Sequence, residues 1–368
     1  MSMKKTQKNI LVGMTPAEIQ TLMEEMGEKP FRATQIKKWI YEKGARSIDE
    51  MTDLSKHLRA ALSDVAMVSP HTQYQVIQAN DGTTKFLIEL ADGQKVECVT
   101  IVQNNHLTAC LSSQVGCTVG CPFCATGLSG FRRNLTVSEI VDQFLIMQQA
   151  VSKGLVSEFS PHDRISRIVF MGMGEPLLNY DNLLASIGIL NKQMGIGLRR
   201  ITISTSGIIP KIQALMKEKR DYNLAISLHS VNPGTRDFLV PINKKYTVKE
   251  LLAAARDYAN VTKRRITFEY TMLEGRNASI EDARALAKAL KGIHCHINLI
   301  AYNPVGSKFQ APPRKEIIEF QRILENEGFP VNIRHNHGQD DMAACGQLRV
   351  YAEENPSETI LRTVPTAV

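Results

Sequence analysis

Four of the seven cysteines lie in the segment CLSSQVGCTVGCPFCATG, which begins at Cys110. Three of them, Cys117, Cys121 and Cys124, have the spacing C-x3-C-x2-C. Closely spaced cysteines supply thiolate ligands to zinc or to an iron-sulfur cluster. A structural zinc site needs four ligands, and the nearest extra thiols, Cys110 and Cys98, lie on predicted strands. A four-iron cluster held by three thiolates keeps one iron open, so the missing ligand is compatible with a substrate site.

The elements that must position these cysteines alternate between strand and helix from about residue 107 onward. The predicted strands are HLTACLSS, ISRIVFMGM, RRITISTS, YNLAISLH, RITFEYTML and HINLIAYNP. Amphipathic segments separate them, such as TVSEIVDQFLIMQQA, where Thr136 and Glu139 predict a capping box. Six β-α units with mostly apolar strands predict a parallel sheet covered by helices, either a closed or partly open barrel or a doubly wound sheet.

The unusual short motifs follow the predicted strands. The cysteine triplet follows the first strand, GMGEP the second, STSG the third, SLHS the fourth and YNP the sixth. Each motif alone has a structural explanation, because glycines make turns and Ser or Asn caps helices. Functional groups in parallel α/β folds lie at the carboxyl ends of the strands, so five such motifs at one end favour a functional site.

Other segments frame this core. Residues 1–70 predict a small basic helical domain, in which Thr15 caps a helix through Glu18 and Phe31, Ile36, Trp39 and Ile40 share one face. Such a domain suits RNA docking, or its charges are simply a solvated helix face. Three alternating segments in residues 71–105 predict a short antiparallel meander as a linker. The core is expected at residues 106–346, and residues 347–368 form a polar tail.

Composition narrows the class of protein. The 368 residues are 43% hydrophobic and 22% charged, as in a soluble globular protein with a full core. No segment resembles a signal peptide or a membrane span, so we expect a cytoplasmic protein without membrane contact, whose clustered cysteines serve metal binding or catalysis. The formal net charge of +7 is compatible with an acidic partner or with a merely basic enzyme.

The cysteine spacing after the first strand resembles the signature of the radical S-adenosylmethionine (SAM) enzymes. More specifically, SSQVGC, FCATG, GMGEPLLN, STSGIIP, AISLHS, PINKKY and AACGQL resemble, in this order, the RlmN-type RNA methyltransferases of the RlmN/Cfr family. The resemblance covers nearly the whole chain. It implies an α/β fold, a radical SAM partial (β/α)6 barrel with the small N-terminal helical domain and the β-meander linker.

The resemblance also implies the cofactors and the residues that hold them. Cys117, Cys121 and Cys124 would bind a [4Fe-4S] cluster, whose open iron is chelated by the amino and carboxylate groups of SAM. The expected SAM-binding residues are Gly174, Glu175, Ser204, Ser227, Leu228, His229 and Asn303. An acidic side chain suits the methionyl ammonium group of SAM, and hydroxyl and amide groups suit its ribose and carboxylate.

Three further residues are implied in the reaction itself. Cys345 matches the cysteine that is methylated by one SAM and activated by a radical from a second, so that its methylene carbon adds to the adenine ring. Glu97 matches the proposed proton acceptor, and Cys110 the thiol that forms a transient disulfide with Cys345 and frees the methylated base. Aromatic carbon 2 of adenine is not nucleophilic, which explains why direct methyl transfer from SAM is avoided. Cys98 and Cys295 have no matching role and are expected to be structural.

The implied substrate is carbon 2 of adenosine 2503 in 23S ribosomal RNA, together with adenosine 37 of transfer RNA. The implied electron donor is external, such as flavodoxin, and we expect a monomer. Two alternatives stay open, namely carbon-8 methylation of 23S rRNA as in the Cfr-type enzymes, and a metal-bearing RNA-binding protein without catalysis. GMGEP and STSG favour the carbon-2 group. His106, where the family commonly has an arginine, and the His-rich segment before Cys345 depart from the family pattern.

Overall fold

A computed structural model describes residues 8–103, 106–156, 163–334, 344–348 and 362–365. The strands are β1 Asn9–Ile10, β2 Ala66–Met67, β3 His71–Gln78, β4 Thr84–Leu90, β5 Lys95–Gln103, β6 His106–Cys110, β7 Gln114–Gly116, β8 Phe131–Asn134, β9 Ile165–Phe170, β10 Ile201–Thr205, β11 Asn223–Ser227, β12 Ile266–Met272, β13 Cys295–Ala301, β14 Val331–Arg334 and β15 Arg362–Pro365. The helices are α1 Pro16–Glu25, α2 Phe31–Tyr41, α3 Lys56–Val65, α4 Ala125–Leu128, α5 Val137–Ser152, α6 Tyr180–Met194, α7 Ile209–Glu218, α8 Pro233–Leu239, α9 Val248–Thr262, α10 Ile280–Leu290 and α11 Arg314–Asn326.

The core is a mixed sheet with the strand order β14-β13-β12-β11-β10-β9-β6-β5-β4-β3-β15. From β6 through β9 to β14, neighbouring strands are parallel. Their order along the sheet follows the chain without reversal, whereas a doubly wound sheet reverses at a switch point. Successive right-handed crossovers therefore place the helices on one face, as a partial barrel requires. The expected α/β fold with a partial barrel of parallel strands is confirmed.

All six predicted parallel strands are present, and β14 is a seventh that the sequence did not predict. Its four residues, VNIR, include only two apolar side chains, which is too short a pattern to identify a strand. Pairing with β13 supplies its hydrogen bonds, with Ile300 opposite Arg334 at the carboxyl end. β14 thereby brings Arg334 to the same edge of the sheet as the sequence motifs.

The predicted antiparallel meander is formed by β3, β4 and β5. β5 also pairs antiparallel with β6, with Val99 opposite Cys110, so the meander that leads into the core also extends the core sheet. Residues of the expected polar tail form β15, which pairs antiparallel with β3. Both differences arise because edge strands leave backbone groups that a further strand can satisfy, and local sequence does not reveal which strand does so.

The N-terminal segment is helical as predicted, and the Thr15–Glu18 capping box is present at the start of α1. The prediction for Phe31 is wrong, because its side chain is 51% exposed. At 100° per residue, Phe31 lies on the opposite side of α2 from Ile40, which is buried together with Ile36. The aromatic ring of Phe31 is therefore exposed on the surface of the N-terminal helical segment.

A buried polar cluster joins the N-terminal segment to the core. Asp142 on α5 is fully buried and accepts hydrogen bonds from Arg46 and from the Ser69 hydroxyl. One carboxylate oxygen also lies 2.5 Å from Nδ1 of His71. Arg46 and His71 are themselves buried. Because a buried carboxylate is stable only when its oxygens are satisfied, these contacts fix the orientation of the helical segment on α5.

Candidate active site

The cysteine triplet lies on a loop that a short antiparallel ribbon closes. β7 and β8 form this ribbon on either side of the loop. Gly116 has φ +73°, and a Cβ there would lie 1.7 Å from the carbonyl oxygen of Gly130, so only glycine fits. The amide of Cys117 donates to the same carbonyl at 3.0 Å, and the amide of Cys124 donates to the Cys121 carbonyl at 3.2 Å.

The three cysteines line one pocket at the carboxyl ends of the parallel strands, and that pocket encloses about 1010 Å³ of space, part of it open to solvent. It also collects most of the predicted SAM-binding residues, namely Gly174, Glu175, Ser204, Ser227, His229 and Asn303. Cys345 lines the same pocket. Among the described residues, the lining does not include Leu228, Cys110 or Glu97. Leu228 is fully buried in the core, and its backbone N–H and C=O bond Glu269 and Arg236.

The thiols sit in a low-dielectric environment next to a buried cation. Burial raises the pKa of Cys117 to about 12 and raises the pKa of Cys121 well above its ordinary value. Arg236 acts in the opposite direction on Cys121. Its guanidinium is fully buried and donates to the backbone carbonyls of Ser206 and Leu228 at 2.6 and 3.0 Å. These thiols would have to lose their protons in order to hold iron, and Arg236 would favour the negative charge that results.

The donor set fits a cubane cluster. In the described part of the chain, no group of three or more His, Cys, Asp or Glu side chains is placed to hold a single metal ion. The thiolates around a cubane each bind a different iron, so they need not converge on one point. Apolar side chains, including Val119, Phe123 and Leu239, pack around the three cysteines. Such a shell limits access of water to the bound group.

The GMGEP motif forms the turn after β9. Gly174 has φ +103°, and a Cβ there would lie 2.6 Å from the Gln114 side chain, so the loop needs glycine at this position. The Glu175 carboxylate is 3% exposed and accepts hydrogen bonds from the Ser206 amide and hydroxyl, both at 2.7 Å, and from the Leu177 amide at 3.0 Å. Burial raises its pKa, which those hydrogen bonds oppose. Glu175 thus ties the GMGEP and STSG loops together as well as lining the pocket.

His229 is a neutral hydrogen-bonding group in this pocket. Its φ is +57°, and Nδ1 accepts from the Thr271 amide at 2.9 Å, which places the ring proton on Nε2. Burial and the nearby Arg236 charge together lower the pKa of His229 to about 3. The Phe123 ring packs edge-on against the imidazole at 4.9 Å. An uncharged N–H donor is therefore held beside the cysteine loop.

Asn303 connects the sixth strand motif to the turn that carries Cys345. Its side-chain nitrogen donates to the Cys345 carbonyl at 3.0 Å, whereas its side-chain oxygen is buried and has no hydrogen-bond partner in the described structure. The turn is also fixed by the Ala125 amide, which donates to the Gly346 carbonyl at 2.8 Å. A buried acceptor without a partner, in a pocket, indicates a ligand with a matching donor. SAM carries such donors, so the residues present fit this cofactor.

The thiols of Cys110 and Cys345 lie close enough to interact. Burial, with a smaller contribution from the nearby Cys345 thiol, raises the pKa of Cys110 to about 12. Cys345 is exposed as a residue, yet its thiol faces the pocket, where burial raises the pKa and Arg334 lowers it. The predicted pair is therefore brought together, although both cysteines are free thiols in this structure.

Three charged residues near the pocket were missed by sequence reasoning. Arg334 and Glu269 both line it, with Nη1 and Oε2 3.6 Å apart, and Asn298 donates to the other Glu269 oxygen at 3.0 Å. The only sequence signal for Glu269 is a carboxylate inside the otherwise apolar strand RITFEYTML. Arg334 and Arg236 lie in segments without a recognisable pattern.

Glu97 is not brought into the pocket lining. Its carboxylate is 1% exposed and lies 3.4 Å from Nζ of Lys85, which is buried as well. The Glu97 backbone does adjoin the GMGEP loop, because the Ser112 hydroxyl donates to its carbonyl at 2.5 Å and accepts from the Met173 amide at 2.7 Å. The role of Glu97 as proton acceptor stays a prediction.

Some expectations concern other parts of the chain. Cys98 and Cys295 are buried, at 0% and 5% exposure, in β5 and β13. The His-rich segment before Cys345 lies mostly outside the described residues, since residues 335–343 are not among them. Of the helices that the structure describes, none is both long and apolar enough to cross a bilayer.

Comparison with known proteins places this site in a family. Residues 9–68 match the family model described as Ribosomal RNA large subunit methyltransferase N-terminal domain, and residues 111–290 match the Radical SAM superfamily. The dual-specificity RNA methyltransferase RlmN of Rhodospirillum rubrum is 46% identical, over 92% of this chain and 80% of that protein. The probable RlmN of Thermotoga neapolitana is 46% identical, over 93% of this chain and 98% of that protein.

A solved structure of a radical SAM methyltransferase is also similar to this chain. The crystal structure of a radical SAM methyltransferase from Sphaerobacter thermophilus matches with a TM-score of 0.88 and 41% identity, over 93% of this chain and 99% of that chain. The radical SAM model covers the cysteine triplet and the GMGEP, STSG and SLH motifs, so the [4Fe-4S] cluster and SAM are the cofactors of the fold. The chain therefore belongs to the RlmN family of radical SAM RNA methyltransferases.

Proposed function

We propose that this enzyme methylates carbon 2 of adenine in 23S ribosomal RNA, at adenosine 2503, and in transfer RNA, at adenosine 37. The observation that carries the proposal is the placement of Cys345 in the pocket of Cys117, Cys121 and Cys124, with Cys110 close by. The related R. rubrum protein is named a dual-specificity RNA methyltransferase, which supports two RNA substrates.

In the proposed reaction, Cys345 and Cys110 form the covalent bonds. A [4Fe-4S] cluster and SAM, when bound, supply the methyl group and the radical chemistry that activates it. The Cys345 thiolate accepts the methyl group, and the Arg334 charge favours that thiolate by opposing the rise that burial causes in the Cys345 pKa. Once the methylene carbon is bonded to adenine, Glu97 is the candidate to take the ring proton. The Cys110 thiolate then attacks the Cys345 sulfur, so that the S–S bond forms and the S–C bond to the methylene carbon breaks. The electron pair of that bond goes to the methylene carbon, which takes up a proton, and the base leaves with a methyl group.

The other pocket residues bind SAM and orient it. The orphan oxygen of Asn303 and the hydroxyls of Ser204 and Ser227 offer acceptors and donors to SAM. Nε2 of His229 offers a neutral donor, and the Glu175 carboxylate attracts an ammonium group. Leu228 contributes by holding the backbone of the SLH turn in the core.

Two cysteine variants test the mechanism. Cys110→Ala should accumulate a covalent protein-RNA adduct, because nothing then cleaves the bond to Cys345. Cys345→Ala should lose both methylation and adduct formation. Denaturing gel electrophoresis with labelled RNA measures the adduct. Cys295→Ala, which changes a buried thiol outside the pocket, is the matched control and should methylate RNA normally. Normal turnover by Cys110→Ala would refute its resolving role.

Mass mapping of modified adenines tests the site on the base. RNA from cells that lack the gene, with and without complementation, should differ by 2-methyladenosine at the two positions. Methylation at carbon 8 instead would favour the Cfr-type alternative. A colourless protein with one zinc after anaerobic purification would favour an RNA-binding protein without catalysis.

A further inference from the structure

A second concavity lies on the outer side of the cysteine loop. It is lined by Pro122, Phe238, Arg276, Lys308 and Phe309, among others. Within the described structure it shares no lining residue with the pocket that contains Cys345. The Glu274 amide donates to the Gln310 carbonyl at 2.9 Å, which holds the two loops of this groove together. The groove is therefore a built feature of the surface, separate from the active site.

The cysteine loop separates the groove from the pocket. Cys121, Phe123 and Cys124 line the pocket, whereas Pro122, between them in sequence, lines the groove. Anything bound in the groove thus lies directly behind the residues that hold the cluster.

A series of packed aromatic rings also connects the groove to the pocket. Phe238 is 49% exposed in the groove, and its ring centroid lies 6.1 Å from that of Phe309. Phe309 packs on Tyr302 at 6.1 Å and against the apolar side chains around the three cysteines. Tyr302 is 2% exposed and lines the pocket. Contacts between neighbouring rings therefore continue from the exposed Phe238 to the pocket that contains the three cysteines.

The groove carries a net positive charge around an apolar centre. Arg276 and Lys308 are exposed, and no described carboxylate lies within ion-pairing distance of either. The Arg276 guanidinium lies 5.2 Å from the Phe238 ring centroid. Glu274 also lines the groove and supplies one negative charge, so the net charge of the lining is positive. An exposed aromatic ring flanked by Arg and Lys is a typical centre for docking an acidic protein.

The position of Cys345 argues against RNA as the occupant. The target adenine must reach Cys345, which lines the pocket and not the groove. A partner that instead has to approach the cluster from behind is a source of electrons. Resting on the proposed function, we propose that the groove of Phe238, Arg276 and Lys308 docks an acidic one-electron donor protein. One electron leaves the reduced redox group of the donor and enters the cluster held by the three thiolates, and no bond is made or broken.

A double charge reversal, Arg276→Glu with Lys308→Glu, tests the docking. An acidic flavodoxin is the probe, and its dissociation constant for the cluster-loaded enzyme is measured by titration calorimetry. We expect weakening of about tenfold or more at low ionic strength and a smaller difference at high salt, because screening reduces exposed charge interactions. Flavodoxin-supported formation of 5′-deoxyadenosine should slow to a similar degree. The same reaction driven by dithionite, a small reductant that needs no docking surface, should be unchanged.

The matched control reverses two exposed lysines, Lys288→Glu with Lys291→Glu, at the C-terminal end of α10. This end lies at the amino ends of the strands, opposite the groove, so flavodoxin binding should match wild type. Phe238→Ala, which keeps the charges, should also weaken binding. Wild-type flavodoxin affinity in the Arg276/Lys308 variant overturns the proposal. So does a tenfold loss of RNA affinity in place of donor affinity. A wild-type enzyme that cleaves no SAM with dithionite would instead refute the proposed function.

Discussion

The side-chain oxygen of Asn303 is the residue-scale feature that points most directly to a bound ligand. The amide nitrogen is used by the Cys345 carbonyl, and the oxygen is buried without a partner in the described pocket. An unsatisfied buried acceptor costs about 1–3 kcal/mol, which a ligand donor would recover. Asn303 therefore couples the binding of a ligand to the position of the Cys345 turn.

Replacing this amide should weaken SAM binding. Asn303→Leu removes both the acceptor and the bond to Cys345, so we expect the dissociation constant of SAM to rise roughly tenfold, corresponding to about 1.4 kcal/mol. Equilibrium dialysis on the cluster-loaded protein measures it. Asn326→Leu, an exposed position at the end of α11, is the control and should bind SAM as wild type. Unchanged SAM affinity in Asn303→Leu would mean that the orphan oxygen does not face the cofactor.

At the scale of elements, the site is made by the turns that follow parallel strands. These turns are not independent, because Glu175 joins the turn after β9 to the turn after β10, and Arg236 joins the latter to the turn after β11. The buried Arg236 makes these bonds without an ion pair in the described structure. The turns therefore behave as one hydrogen-bonded rim around the pocket.

Substitution of Gly174 tests how tightly the turns around the pocket are packed. Gly174→Ala places a Cβ 2.6 Å from the Gln114 side chain at a φ of +103°, so we expect a loss of about 1–3 kcal/mol in the free energy of unfolding, with weaker SAM binding. Urea denaturation measures the stability. Gly188→Ala in α6 has open space around its Cβ and should stabilise the protein by about 0.5–1 kcal/mol. Equal stability changes in both variants would contradict the steric argument.

At the scale of the whole molecule, the cluster around Asp142 joins the N-terminal helices to the core. Burial by itself would raise the Asp142 pKa, but attraction to Arg46 and His71 and their hydrogen bonds lower it overall. A carboxyl whose pKa is lower in the folded state stabilises folding above its unfolded pKa of about 3.9, and this contribution is lost as the pH falls toward the folded value. The junction should therefore be strongest at neutral pH.

Asp142→Asn removes the carboxylate charge, so the buried Arg46 guanidinium loses the negative charge that it pairs with. We expect a loss of about 3–5 kcal/mol in unfolding free energy at pH 7. The difference from wild type should shrink progressively below about pH 4, because the carboxyl then takes up a proton in the unfolded chain and the wild-type protein loses the stability that the ionised form contributes. Denaturant titrations at several pH values measure this. Asp92→Asn breaks an exposed pair with Arg133 and should cost less than about 1 kcal/mol. A pH-independent difference would refute the electrostatic origin.

Local patterns in the sequence were enough to predict the parallel strands, their capped helices and the turns with Cys117, Gly174 and Asn303. Alternation, 3.6-residue periodicity and backbone preferences act within a few residues, so they can be read without the fold. The family resemblance added the cofactors and the pairing of Cys110 with Cys345, which no local pattern contains.

Only the tertiary structure decided the contacts between distant elements. It placed Arg334 of the unpredicted β14 beside Glu269, buried Glu97 against Lys85 outside the pocket, and left Phe31 exposed. Strand order, register and burial determine such contacts, because they bring together residues that are far apart in the chain. The spacing of the three cysteines is therefore enough to predict the chemistry of their loop. The charged residues around the loop and the groove on its outer side are determined only by the fold.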